Sequence, residues 1–487
     1  MPNPAGFIDG AVVHGQGSTF SVRNPGDESI VAEYAGMSLE QTGAAIAAAR
    51  RAFDDGRWSG LAAHERAAAL RRLVAALTAR KDALTDLVVQ EAGCPRKSGT
   101  MVAQVAAPLR MAGETIDLFL GLPEHEENPL PLRERVNATG QVVQSLRRYT
   151  PIGVVAGIAA YNFPLYTALW KVMPALIAGN TLVLRPSPLT PLSALVIGEA
   201  AAEAALPPGV LNVVTEGGLE GGRLMSTAAA VDMVAFTGSS TVGAQIMMQA
   251  APTMKRLQLE LGGKSAQIFL PDSADKAAMA AMIVCVSHAG QGCALGTRLF
   301  VPEERKAEVL AKANELFARL KVGHPEDPAT QVGPVISAAQ RARCEHFVAA
   351  ALAHGGRIVA GGKRPASPPQ GFYFEPTVLD VPDNANPAAQ EEIFGPVVAV
   401  IGYRDLAHAI AMANDSKFGL SGYVHGQDKA EALRVALQIR SGTVHVNGAL
   451  MSSYASSGGQ RMSGLGRERG IEGLRIYQQT SCLTIGG

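Results

Sequence analysis

The sequence predicts an α/β protein in which helices cover parallel sheets, and three observations carry that reading. Between residues 154 and 238, apolar runs bounded by Gly and Pro alternate with helical stretches. They read VVAGIAAY (154–161), a helix around 165–178, TLVLRP (181–186), a helix over 190–204, VLNVVT (210–215), a helix over 219–227 and DMVAFTG (232–238). Strands this continuously apolar are buried on both faces, as in a parallel sheet between helical layers. The pattern then starts again at SAQIFL (265–270), followed by an Ala- and Met-rich helix over 277–286, and a second α/β series runs to about Val446. Finally, Val136–Tyr149 and the terminal TSCLTIG are β-like without intervening helices, which predicts a small separate β element.

Composition agrees with a multi-domain globular chain. With 487 residues, two to four domains are expected. Hydrophobic residues make up 47% and charged residues 18%, which argues against disorder. Forty-three basic residues balance 43 acidic ones, so no global field exists to hold nucleic acid or an anionic membrane. The Arg- and Lys-bearing runs between Leu39 and Leu87 read as solvated helix faces. The longest apolar stretches, such as Ala278 to Val286, are too short to span a bilayer. Five scattered cysteines, Cys94, Cys285, Cys293, Cys344 and Cys482, form neither a disulfide framework nor a zinc spacing, and no metal is expected. Free thiols and an N-terminus without a signal-peptide pattern point to the cytoplasm.

Three short segments carry candidate chemistry. HAGQGCALGTR (288–298) sets Cys293 in a turn of small residues, where Gly290, Gly292 and Gly296 allow a substrate carbonyl close to the backbone. A lone cysteine is more often a buried structural residue, and His288 also invites a Cys–His hydrolase reading. LELGGKSA (259–266) places Glu260 at a strand end as a candidate general base. FTGSSTVG (236–243) is a Gly/Ser turn before a helix, whose N-terminal amides suit a pyrophosphate, although it is not GxGxxG.

Taken in order, AYNFP, LRPSP, FTGSSTVG, LELGGKSA, GQGC, EEIFGPV and SGLGRERG make a chain that resembles the aldehyde dehydrogenase superfamily from about residue 5 to the end. The resemblance implies a Rossmann-like cofactor-binding domain, an α/β catalytic domain and a small β oligomerisation element. Residues 1–124 and 150–258 would form the first, 259–446 the second, and 125–149 with 473–487 the third, while 447–472 returns to the cofactor domain. A homodimer or homotetramer follows as the expected assembly.

The implied reaction converts an aldehyde to a carboxylic acid and reduces NAD, with NADP also accepted. Cys293 attacks the aldehyde, Asn162 donates to the oxyanion, and Glu260 activates the water that hydrolyses the thioester. Lys171 and Glu468 assist proton movement. The resemblance places Ile158, Ala160, Tyr161, Arg185, Ser187, Pro188, Phe236, Thr237, Gly238, Ser239, Val242, Leu261, Gly262, Glu392 and Phe394 at the cofactor. Phe163, Tyr166, Trp170, Met451, Tyr454 and Ser457 are expected to line the aldehyde tunnel.

Departures from the family pattern sharpen two expectations. Pro188 stands where many NAD-preferring members carry a ribose-binding Glu, and Arg185 could pair with a 2′-phosphate, so strict NAD preference is not implied. Ser457 stands where a Phe is common, so a mostly apolar but wider tunnel is expected, suited to aliphatic, terpenoid or aromatic aldehydes. A thiol hydrolase would leave the cofactor motifs without purpose, and a coenzyme A-acylating member generally lacks the Glu at position 260.

Overall fold

The computed structural model describes residues 6–448 and 452–486. Its first sheet is parallel at the centre, in the order Arg256–Glu260, Met233–Thr237, Val154–Ile158, Thr181–Arg185, Leu211–Val213. Antiparallel strands close both sides: Gly464–Leu465 beside Arg256–Glu260, and Gly6–Ile8 with Ala11–Val13 beside Leu211–Val213. Successive residues of each strand serve opposite helical layers. Val154, Ala156, Val183 and Val234 pack with Ala45, Ile46 and Ala49 of the helix Leu39–Asp54. Val155, Leu182, Leu184 and Ala235 face the other way, into a core with Leu165, Leu169 and Leu73. This two-sided burial is why the strands read as unbroken apolar runs.

The second sheet runs Arg357–Ala360, Thr377–Asp380, Val397–Tyr403, Arg298–Pro302, Ala266–Phe269, Ser421–His425, Thr443–Val446, parallel except for the first pair. The third is antiparallel: His125–Glu127 and the terminal strand Gln478–Gly486 flank Val143–Pro151. Residues 479–486 are exposed along their whole length.

Local signals explain several boundaries. Ser38 and Gln41 form a capping box at the start of Leu39–Asp54. The helix Leu192–Glu203 begins on a buried acid from another helix: Glu91 accepts the N–H groups of Leu192 and Ser193 at 2.7 and 3.0 Å. Burial pushes the Glu91 carboxyl up to about 7.

Two expected boundaries move. The cut at residue 259 falls inside Arg256–Glu260, because hydrogen bonding to Met233–Thr237 carries that strand to Glu260 within the first sheet. The β-like stretch expected from Val136 becomes regular strand only at Val143, since Asn137 draws the chain into a turn with Thr139 and Gln141. Within 447–472, Gly464–Leu465 pairs with Arg256–Glu260 of the first sheet.

Candidate active site

The site lies where the first sheet's carboxyl ends meet the second unit, the place an open α/β sheet offers a ligand. Glu260 ends its strand there, and Leu261-Gly262-Gly263 crosses to the next sheet. Gly263 is required by close approach: a Cβ on it would sit 2.4 Å from the Cys293 carbonyl oxygen. The Cys loop is fixed in the same way from its other side, since a Cβ on Gly290 would meet the Gly395 carbonyl at 2.1 Å.

Cys293 is half-buried and unpaired to any other cysteine. Burial pushes its thiol up to about 12, with Glu392, Glu260 and Glu468 adding to the shift, while the Ala294 N–H opposes it. This setting favours the neutral thiol at Cys293. Asn162 is buried and held through side chain and backbone: its Nδ2 donates to the Gln291 backbone carbonyl at 2.9 Å, and Gln104 Nε2 donates to the Asn162 backbone carbonyl at 2.8 Å. Gln291 is itself locked, accepting the Ile336 N–H at 2.9 Å.

Glu260 is buried, and its Oε1 has no hydrogen-bond partner among the described residues. Burial and the neighbouring Glu468 hold its carboxyl well above the ordinary carboxylate range, against the pull of Lys171, Arg467 and Arg469. A Cβ on Gly458 would lie 3.0 Å from that free oxygen, so glycine there keeps open the space that Glu260 faces. Lys171 is fully buried and donates to Thr237 Oγ1 at 2.6 Å and Glu468 Oε1 at 3.2 Å. One ammonium therefore joins the end of the strand Met233–Thr237 to the Glu468 loop.

His288 does not serve the thiol. It is fully buried, both ring nitrogens lack partners, and it packs on Phe163 with centroids 5.5 Å apart. Burial lowers its pKa to about 4, so the ring is neutral. A Cys–His hydrolase dyad is absent among the described residues.

The aromatic wall follows from helical spacing. Phe163 precedes the helix Pro164–Ile177, and Tyr166 and Trp170 follow at steps of three and four residues on one stripe. Tyr166 stacks on Trp170 at 4.3 Å and lies 6.2 Å from Phe163. Tyr423 adds a ring that sequence reasoning missed, with its hydroxyl donating to the Ala294 carbonyl at 2.9 Å and His445 stacked on it. The Arg469 guanidinium lies 4.7 Å over the Trp170 ring, and its Nε donates to Ser457 Oγ at 2.9 Å, so a charged group joins these expected tunnel residues. Tyr454 is exposed and joins no ring cluster among the described residues. Met451 lies outside the described residues.

The cofactor positions assemble at the strand ends. Ser239 caps the helix Ser240–Ala250 through a Val242 N–H bond of 3.3 Å, leaving the first two helical amides without intrahelical acceptors. Glu392 Oε1 accepts the Gly263 N–H at 2.9 Å, and a Cβ on Gly262 would reach 2.4 Å from Oε2. Phe394 stands edge-on to Tyr161 at 5.9 Å. Ile158 and Phe236 are buried in their strands, Leu261 packs behind Gly243, and Ala160, Gly238, Ser187 and Pro188 are half-buried at the crevice. Arg185 is not free. Its Nε donates to Glu216 Oε1 at 2.5 Å and its Nη2 to the Gly218 carbonyl at 2.6 Å. Glu216 has no motif around it, and only the fold brings it to Arg185.

Comparison with known proteins identifies the family and the fold. The Aldehyde dehydrogenase family profile matches residues 12–483, and the chain belongs to that family of aldehyde-oxidising enzymes. Aldehyde dehydrogenase C of Pseudomonas syringae, solved as a cysteine-to-alanine variant with NAD+ and octanal, is 36% identical. It superposes with a TM-score of 0.92 over 99% of this chain and 97% of its own. Betaine aldehyde dehydrogenase of Staphylococcus aureus, solved with NAD+, is 33% identical, with a TM-score of 0.93 over 99% and 94% of the two chains. An aldehyde dehydrogenase of Bacillus cereus is 31% identical, with a TM-score of 0.93 over 99% and 96%.

Proposed function

We propose that this chain oxidises an aldehyde with an apolar aliphatic, terpenoid or aromatic stem to its carboxylic acid, with NAD as cofactor. The observation that carries the reading is the convergence of Cys293, the doubly anchored Asn162 and the unpartnered carboxylate oxygen of Glu260. Cys293 Sγ attacks the carbonyl carbon after losing its proton, and Asn162 Nδ2 donates to the oxyanion of the thiohemiacetal. One such donor contributes about 100- to 1000-fold in rate. When bound, the nicotinamide supplies the hydride acceptor that the chain lacks. Glu260 takes a proton from the water that attacks the resulting Cys293 thioester. The Lys171–Glu468 pair beside it offers that proton a way onward.

The residues present suit that cofactor. The Ser239 turn and the open amides of Ser240 and Thr241 would take the pyrophosphate, with Val242, Thr237 and Gly238 shaping the turn. Glu392 would hold the nicotinamide ribose, with Phe394 and Tyr161 at the ring. Arg185, Ser187 and Pro188 lie at the end of the strand next to the central one, where the adenosine ribose is read. Since Glu216 already neutralises Arg185, NAD is favoured over NADP. The exposed terminal strand supports pairing with a second copy, in a dimer or a tetramer. The free cysteines fit a cytoplasmic setting.

The test is a panel of aldehydes assayed for NADH formation with the wild-type protein and Cys293→Ala. Activity should vanish in the variant while NAD binding, followed by protein fluorescence, persists. Retention of more than a small fraction of the activity would overturn the assignment.

A further inference from the structure

We infer that Arg469 recognises an anionic group on the far end of the substrate, so that the preferred aldehydes carry a carboxylate beyond an apolar stem. This rests on the dehydrogenase reading above and names the substrate class of the same site.

The first observation is an uncompensated charge. The neighbouring arginines are fully engaged: Arg467 donates to the carbonyls of Gly458, Gly442 and Ser456, and Arg185 pairs with Glu216. Arg469, by contrast, makes only neutral contacts, with Ser457 Oγ at 2.9 Å, the Ser452 carbonyl at 3.4 Å and the face of Trp170. Among the described residues no carboxylate lies within ion-pair range of it. Of the nearby acids, Glu468 pairs with Lys171 and Glu114 with Arg110 and Ser453, while Glu260 feels the Arg469 charge without pairing with it. A half-buried guanidinium without a counter-ion is costly unless a ligand supplies one.

The second observation is its backbone. Arg469 has φ 61° and ψ 172°, a region that only glycine enters freely. A strained conformation at a non-glycine residue persists where the surroundings impose it, and such residues gather at ligand sites.

The third observation is position. Phe163, which follows Asn162, leads through Tyr166 and Trp170 to Arg469 in an unbroken series of ring contacts. Ser457, which accepts from Arg469, precedes Gly458, whose absent side chain leaves room at Glu260. The guanidinium thus ends an aromatic series that begins beside Asn162. Its charge is also felt at Tyr166 and Tyr423, two rings that Cys293 influences as well. An aldehyde held at Cys293 with its stem along Phe163, Tyr166 and Trp170 would bring a terminal carboxylate to the free Nη2 edge, where a charge-assisted hydrogen bond forms.

The experiment compares para-formylbenzoate with para-formylbenzamide, which share length and ring but differ in charge. Wild-type protein should favour the carboxylate by about tenfold or more in kcat/KM, mostly through KM, and added salt should shrink the ratio. In Arg469→Leu the ratio should fall to about one, and Arg469→Lys should keep part of it. Terephthalate binding, followed by quenching of tryptophan fluorescence, should weaken about tenfold in Arg469→Leu, which gives a readout independent of turnover. Should Arg469→Leu fail to fold, the wild-type ratio decides. Equal or faster oxidation of the amide by wild-type protein would overturn the role of Arg469 while leaving the dehydrogenase intact. Oxidation of neither aldehyde, nor of octanal, would overturn the dehydrogenase reading and this one with it.

Discussion

Glu216 holds Arg185 in a buried pair: its Oε1 accepts from Arg185 Nε at 2.5 Å, while the N–H groups of Gly221 and Gly222 donate to the same carboxylate at 2.8 and 2.9 Å. A carboxylate thus stands beside Arg185, at the proposed ribose end of the crevice, although Pro188 supplies none. It cancels the cation that would otherwise attract a 2′-phosphate. Dissociation constants for NAD and NADP, measured by fluorescence, should favour NAD, and Glu216→Gln should narrow the ratio by about tenfold. An unchanged ratio would mean that another group reads the ribose. The variant also breaks a buried ion pair, so its melting temperature should fall, and the ratio is the quantity that decides.

Glu260→Gln should permit one turnover and then stall. The thiol still attacks and the thioester still forms, but no base remains to deprotonate water. Rapid mixing should show a burst of NADH close to one equivalent per active site, followed by slow release. Equal loss of burst and steady rate would remove Glu260 from the hydrolytic step.

The pH dependence has a definite sign. Burial and Glu468 hold the Glu260 carboxyl well above the ordinary carboxylate range, which favours its neutral form as pH falls. The rate of thioester hydrolysis should therefore rise with pH, its acid limb lying clearly above that of a solvated glutamate. Glu468→Gln removes the like charge and should move that limb to lower pH. A limb that stays in place would show that Glu468 does not feel Glu260.

Truncation tests the assembly. Removing the chain from Thr480 onward takes away most of the strand that pairs with Val143–Pro151 but spares Tyr477. Tyr477 must remain, because its ring is buried and its carbonyl accepts from Asn180 Nδ2 at 2.9 Å. Light scattering should find the intact protein dimeric or tetrameric and the truncated one dissociated or aggregated. A monomeric intact protein at micromolar concentration would refute the proposed pairing.

Much of this was legible in the residues alone. The strands from Val154 to Thr237 carry burial on both faces, so their apolar runs mark them directly, and Cys293, Glu260 and Asn162 sit in segments of distinctive order. What stayed hidden depends on long-range contact. Gly6–Ile8 and Ala11–Val13 are three residues each, too short to show a period, and complete the sheet only by pairing with a strand some 200 residues away. Gln104 looks like any polar helix residue until the fold sets it on Asn162. Glu216 and Arg469 belong to loops rich in glycine, where a charged residue ordinarily faces water, and nothing local says that each will meet a partner inside a crevice.

The loop that carries Gly458, Arg467, Glu468 and Arg469 reaches the site only through the late strand Gly464–Leu465, laid beside Arg256–Glu260. During translation Cys293 leaves the ribosome long before that loop does. At about 5–20 residues per second the interval is on the order of ten seconds or more. For that time the nascent chain holds its sulfur without the groups that complete the pocket, and it cannot yet turn over substrate. A message cut short between the codons of Val446 and Gly458 would yield a polypeptide with most of its scaffold and without that loop.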